Sequence, residues 1–166
     1  MHTAIATFIR AAKRATYAAL GDAASVTPLL PGTKQLEFIS GEYVYRDIYA
    51  GMKLFVGQEL VYRLGTAVWS MGYSGGVTVS ASDSATAEIY RFLRTALLQA
   101  PEQLPLRGPE SLISGQLEYS CAVSGELGRF HGTEIICIAG SPVYELHFSG
   151  GALHENQALA QAERQG

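Results

Sequence analysis

The pentad Phe55-Val56-Gly57-Gln58-Glu59 returns as Phe130-His131-Gly132-Thr133-Glu134, and this repetition constrains the fold more than any other feature of the chain. Each F-x-G-x-E cluster opens a predicted strand, and each Glu is followed six residues later by a turn glycine (Gly65, Gly140). An aromatic strand then closes on Ser-Gly-Gly in both copies. Aligning Ile39 with Ile113 and Gly76 with Gly151, with one extra residue after Gly125, brings Tyr45, Gly51, Phe55, Gly57, Glu59, Gly65 and Ser74-Gly75-Gly76 onto identical partners. Trp69, Met71 and Tyr73 meet Tyr144, Leu146 and Phe148. A unit written twice folds as two like halves sharing a core. The expected fold class is α+β: internally duplicated helix plus antiparallel β-meander units, related by a pseudo-twofold, with two helices packed on an antiparallel sheet. The domain expectation is one compact domain over 1–153, with repeats at about 3–80 and 84–153 and a polar tail at 154–166.

The periodicity supports that division. Ile5, Phe8, Ile9, Ala12, Ala19 and Leu20 recur at helical spacing, with Arg10, Lys13 and Arg14 off the stripe, which predicts an amphipathic helix over 3–20 with a solvated basic face. Residues 21–33, with Pro28 and Pro31, read as a loop. Alternation then predicts strands at 35–40, 43–49, 55–64 and 67–73, and later at 111–114, 116–124, 133–139 and 142–149. Between the two sets, Ile89, Phe92, Leu93, Ala96 and Leu97 form the stripe of a second helix, capped by Asp83 or Ser84 and stopped at Pro101.

Hydrophobic residues make up 48% and charged residues 16% of the 166, which excludes a disordered chain. A formal charge of −3 provides no field for drawing the chain onto a polyphosphate, so no direct nucleic-acid binding by this chain alone is expected. No apolar run is long enough for a membrane helix, no leader pattern opens the sequence, and the only cysteines are Cys121 and Cys137. These features read as a cytoplasmic protein with two reduced thiols.

Glu59 and Glu134 are the candidate chemistry of the repeat. They read first as structure, each carboxylate accepting turn amides or pairing with an arginine, then as walls of a ligand groove on the symmetry axis, and last as an acid/base pair. Around them stand Tyr45, Arg46 and Asp47, either a polar anchor or a cross-strand ion pair among packed tyrosines. Trp69, Tyr73 and Tyr144 read as core aromatics or a stacking platform, and Arg107 either binds an anion or pins its loop to a carboxylate. His2, His131, His147 and His154 lack metal-ligand spacing, and no nucleophile elbow, phosphate loop or dinucleotide fingerprint is present. No catalytic residue, metal or cofactor is assigned.

Several of these segments, taken in order, resemble a known family: Tyr45-Arg46-Asp47-x-Tyr49-x-Gly51, Phe55-x-Gly57-x-Glu59, Trp69-x-Met71-x-Tyr73-x-Gly75, Leu104-Pro105-x-Arg107-Gly108-Pro109, and Val143-Tyr144 with Gly150-Gly151. It is an uncharacterised bacterial family of unknown function, often found C-terminal to an XRE-type helix-turn-helix in transcriptional regulators. The resemblance covers residues 7–153 and implies a bacterial, cytoplasmic ligand-sensing or partner-binding module, here without a DNA-reading helix pair before residue 7. The alternative is a small hydrolase or transferase using the Glu59/Glu134 pair in an inter-repeat groove. Homodimerisation through exposed edge strands is the further partner expectation.

Overall fold

Alternating side chains lay down nine strands, and the computed structural model, which describes residues 2–21 and 25–153, shows them in one antiparallel sheet. Helix α1 spans His2–Ala15 and the one-turn α2 spans Tyr17–Leu20. Strands β1 (Ser25–Val26), β2 (Lys34–Ser40), β3 (Tyr43–Gly51), β4 (Leu54–Arg63) and β5 (Thr66–Val77) follow. Helix α3 (Asp83–Leu97) leads to β6 (Ser111–Ser114), β7 (Leu117–Glu126), β8 (Arg129–Ile138) and β9 (Ser141–Ala152). The spatial order is β1-β2-β3-β4-β5-β9-β8-β7-β6, so β2 to β5 mirror β6 to β9 about the β5–β9 pair and β1 is an extra edge strand on the first half. The helices cover one face, over a core that includes Ile9, Leu36, Tyr45, Met71, Leu93, Ile136 and Leu146.

The expected α+β balance is overturned: the fold is sheet-dominated and only 22% helical. The helical stripe does not run unbroken to Leu20. Thr16 adopts φ −115° and ψ −118°, its hydroxyl donates to the Ala12 carbonyl at 2.8 Å, and the chain turns, leaving Leu20 56% exposed while Ala18 is buried. The loop predicted at 21–33 contains the edge strand β1, paired with Leu36 and Gln35. The strands also run longer than their alternation suggested. Ser-Gly-Gly does not close β5 and β9 but lies within both strands, at the seam where they pair. β8 begins at Arg129, so the second F-x-G-x-E lies inside a strand. The α3 cap is Ser82, whose hydroxyl oxygen accepts from the Ala85 amide at 3.2 Å, rather than Asp83 or Ser84. The expected tail at 154–166 lies outside the described residues.

The seam explains the paired glycines. A Cβ on Gly75 would strike the Glu145 carbonyl oxygen, and one on Gly150 would strike the Ser70 carbonyl oxygen, so bulk at either position would drive β5 and β9 apart. Gly57 and Gly132 serve a different approach. Gly57 is the direct cross-strand partner of Tyr73 and of Tyr49, and a Cβ there would run into the Tyr73 ring and hydroxyl and lie 2.7 Å from the Tyr49 Cβ. Gly132 faces Phe148 in the same way. Each glycine thus lets an aromatic ring lie flat over the neighbouring backbone. The replacement Gly57→Ala should lower the unfolding free energy by about 1–3 kcal/mol through overpacking. The control Gly72→Ala, where nothing lies within 4 Å of the new methyl, should change it by less than about 0.5 kcal/mol in the same urea titration.

Candidate functional site

Beneath the helices, among the described residues, three buried acids on the sheet meet two buried cations, one from α1 and one from the loop before β6. Asp47 on β3 and Glu59 on β4 are direct cross-strand partners, while Glu134 on β8 faces Cys121 on β7. Lys13 descends from α1, and its ammonium donates to Glu59 Oε1 at 2.8 Å and to the Leu106 carbonyl at 2.5 Å. Arg107, the next residue along that loop, grips Glu134 with a two-pronged fork, Nη2 to Oε1 at 2.7 Å and Nε to Oε2 at 3.0 Å. The Tyr119 and Tyr144 hydroxyls complete the Glu134 shell at 2.7 and 2.9 Å, and Tyr119 in turn accepts the Gly108 amide at 2.9 Å. A carboxylate with four such donors is held in one orientation.

Asp47 has no such cation among the described residues. Its described partner is the Tyr73 hydroxyl, which donates to Oδ1 at 2.5 Å. Burial, followed by the charge of Glu59, pushes the Asp47 carboxyl up to about 7, against the opposing pull of the Tyr73 hydrogen bond and of Lys13 and Arg107. Burial also pushes the Lys13 ammonium below the usual lysine range, with Glu59 pulling the other way. For Arg107 burial favours the neutral form, but the charge and hydrogen bond of Glu134 together with Tyr144 and Tyr119 outweigh it and hold the guanidinium well above its ordinary range. Burial raises the Tyr45 and Tyr73 hydroxyls well above the normal tyrosine range, and the charges of Glu59 and Asp47 add to the effect. The Cys121 thiol rises to about 11, again chiefly by burial, so it is an unreactive protonated thiol. Glu59 Oε2 is buried and has no hydrogen-bond partner among the described residues.

Beside this network a cavity of about 750 Å³ opens between α2, α3 and strands β3 to β5. Asp47, Tyr73 and Arg107 reach it from the sheet side, and Tyr17, Tyr49, Phe55 and Tyr90 supply aromatic wall. Lys34, Lys53 and Arg94 also line it. The Tyr90 hydroxyl ties α3 to the β3–β4 turn, donating to the Met52 and Lys53 carbonyls at 3.0 and 2.8 Å.

The cavity lies over strands of the first repeat and is closed by α3 and Arg107 of the second, while a more open depression runs along Ser70, Gly72, Gly128 and Ser149–Leu153 at the β5–β9 seam. Of the residues singled out from sequence, Asp47, Tyr73 and Arg107 border the cavity, while Tyr45, Glu59, Trp69, Glu134 and Tyr144 are buried without lining it. Arg46 points to the opposite face and pairs with Glu37 at 3.0 Å, the cross-strand ion pair of the structural reading. Trp69 is core, stacked on Phe130 at 5.7 Å with its indole N–H on the Leu127 carbonyl. Arg107 pins its loop to a carboxylate. Glu59 and Glu134 are three strand spacings apart, roughly 14 Å across the sheet. They are also offset along it, and each is paired with its own cation. Lys13 corrects the solvated-face reading of α1, since it is buried. Tyr90 and Arg94 were invisible as site residues in the sequence, because a helical tyrosine and a terminal basic residue carry no pattern that distinguishes them from an ordinary helix surface. Cys121 and Cys137 are free, and pairing of Glu118 with Cys137 and of Cys121 with Glu134 places the two thiols on opposite sheet faces. Among the described residues no three His, Cys, Asp or Glu side chains group as a metal site, and no helix is long and apolar enough to cross a membrane.

Two outcomes follow from this arrangement. The folded protein holds the Asp47 proton up to about pH 7, whereas an ordinary aspartate releases it near 3.8, so this group's contribution to stability is complete at low pH and is lost as pH rises through 7. Unfolding titrations of wild type and Asp47→Asn at about pH 5 and about pH 8 should diverge in favour of the Asn variant at the higher pH, by on the order of a few kcal/mol. Parallel pH profiles would remove the buried, unpaired acid from the account. Separately, Glu134→Gln leaves the Arg107 charge buried without its counter-ion and should cost about 3–5 kcal/mol. Cutting the part-exposed pair by Arg46→Ala should cost about 0.2–1 kcal/mol in the same assay.

No curated protein matches the chain, and no solved structure matches it. A family model matches residues 47–153, a span that takes in Asp47, Tyr73, Arg107 and Glu134 but not Lys13. With more than half of its length matched, the chain belongs to the family described as Domain of unknown function (DUF5680).

Proposed function

We propose that the protein is a small-molecule-binding module whose ligand occupies the cavity between α2, α3 and β3 to β5. The observation that carries this reading is the combination of a cavity of about 750 Å³ with the buried Asp47 carboxyl bordering it and no cation bonded to that acid among the described residues. Small-molecule sites are concave, mostly apolar, fitted with a few placed polar groups, and roughly 300–1,000 Å³ in volume. An acid without its own counter-ion is costly to a core and useful to a binding site.

The resemblance to a domain carried behind XRE-type helix-turn-helix segments supports a sensing role of regulator type in a bacterial cytoplasm. In that role the ligand's binding energy would bias the position of α2 and α3, which close over the sheet. The carboxylate-pair hydrolase draws no support from the geometry, because Glu59 and Glu134 are buried, separated and separately neutralised.

A thermal-shift screen of metabolites, run on wild type and on Ala87→Phe, tests the proposal. Ala87 sits on the exposed side of α3 at the cavity wall, so a ring there fills the cavity without entering the core. A ligand at a hundred times its Kd should add about 2.7 kcal/mol, which raises Tm by several degrees in wild type. The shift should vanish in Ala87→Phe with the unliganded Tm little changed. Failure of every metabolite to stabilise wild type, or equal stabilisation of both proteins, would sink the cavity as the site.

A further inference from the structure

We infer that the cavity takes an organic cation, an ammonium or amidinium on an aromatic body, whose N–H groups bond the Asp47 carboxylate, an assignment that rests on the cavity being the binding site. The buried charges beneath the helices do not balance. Among the described residues Asp47, Glu59 and Glu134 are set against Lys13 and Arg107, so the fully ionised set is one positive charge short. Glu59 holds Lys13 and Glu134 holds Arg107, which leaves the shortfall at Asp47. Its Oδ1 accepts from the Tyr73 hydroxyl, and no described residue donates to its Oδ2. Glu59 Oε2 is the one side-chain oxygen among the described residues that is both sealed and unpartnered, so Asp47 Oδ2 is open to the cavity that Asp47 lines. A protein interior keeps a charge only against a counter-charge, and at Asp47 either a proton or a bound cation supplies it.

The cavity wall suits the body of such a ligand. The rings of Phe55 and Tyr73 stand 5.9 Å apart at 70°, those of Phe55 and Tyr90 6.2 Å apart at 53°, and those of Tyr17 and Tyr49 6.5 Å apart at 81°. Rings at such angles offer both edges and faces to a flat body, and a ring face attracts a cation. Basic side chains share the lining, but none of them bonds Asp47. The Arg107 fork is committed to Glu134, Lys53 is turned to Asp83 at 3.4 Å and to the Ala81 carbonyl at 2.9 Å, Lys34 stands 5.9 Å from the centre of the Tyr49 ring, and Arg94 lies in the last turn of α3 beside Gly21. The groups that act on Asp47 are Glu59 from β4, Tyr73 from β5, Tyr45 on its own strand, Lys13 from α1 and Arg107 from the loop, while β2 brings only the uncharged Leu36 opposite it. In their company Asp47 keeps its proton to about pH 7. A cation bound there takes the proton's place.

Two ring systems, each in three charge states, test the assignment: benzamidine, benzamide and benzoate, and tryptamine, tryptophol and indole-3-acetate. In isothermal titration calorimetry at about pH 8, at least one of the two cations should bind wild type about tenfold or more tightly than its neutral and acidic counterparts, the worth of one charge-assisted hydrogen bond. Its affinity should fall about tenfold at about pH 6, where a proton holds the site, and titrations there in two buffers of different ionisation enthalpy should register about one proton released per ligand bound. Asp47→Asn should weaken the cation by about tenfold and abolish the proton release. Circular dichroism and a Tm no lower than that of wild type at about pH 8 establish that this variant is folded. Tighter binding of the neutral compound or the acid, or a cation that binds without proton release or ignores Asp47→Asn, overturns the assignment. If the compound that does bind is lost in Ala87→Phe, the ligand class fails and the cavity survives as the site. A cation that binds Ala87→Phe and wild type alike overturns both. Absence of binding by all six compounds overturns the class, and the metabolite screen on wild type and Ala87→Phe then decides the cavity independently.

Discussion

Three carboxylates and two cations are buried on one face of a single sheet, and much of the structure follows from how they neutralise one another. An isolated charge in a protein interior costs several kcal/mol even after relaxation, so each buried acid must take a partner or keep its proton. Glu59 takes Lys13 and Glu134 takes Arg107. Because Lys13 also holds the Leu106 carbonyl, the two ion pairs meet through one loop, and α1, that loop and the sheet are fastened together. Asp47 is the acid left over, and it answers by holding its proton to about pH 7.

The two halves solve the same steric problem with different chemistry. Gly57 opens space for Tyr73, whose hydroxyl reaches Asp47, whereas Gly132 opens the same space for Phe148, which has no hydroxyl, and the aligned position of Asp47 is Cys121. Removing the acid and the hydroxyl together leaves the second half, among the described residues, with no buried acid that lacks a cation. Tyr144, at the position of Trp69, turns its hydroxyl to Glu134 instead. The first half therefore retains an under-neutralised polar site, and the cavity lies beside it. The asymmetry sits where the aligned side chains differ, while the glycines that shape the backbone are shared.

Much of this was legible before any coordinates. The alternation at 43–49 and 67–73 located β3 and β5, and the stripe of Ile89, Phe92, Leu93, Ala96 and Leu97 located α3, because those periods record which side of an element is dry. Trp69 as core and Arg46 as one arm of a cross-strand pair each stood as one of two alternatives in the sequence, and the structure selects between them. The fold class did not follow, because the helix ends at Thr16 through a backbone angle that the hydrophobic stripe does not encode, and the strands extend through glycines that ordinarily signal a turn. The fate of Lys13 was hidden for a related reason. A lysine off the apolar stripe is a surface residue unless something across the fold waits to receive it.

The sequence alone determined that a unit is written twice and that each copy carries a glutamate two positions after a glycine in its F-x-G-x-E cluster. These are short-range facts, read from the repeat itself. Only the tertiary structure decided what the F-x-G-x-E clusters are for. Glu59 meets Lys13 across 46 residues of chain and Glu134 meets Arg107 across 27. Contacts at such separations depend on where whole elements come to rest, which no local pattern specifies. The same long-range packing left Asp47 without a bonded cation among the described residues and placed it beside the cavity, so the cavity lies next to the repeated motif rather than within it.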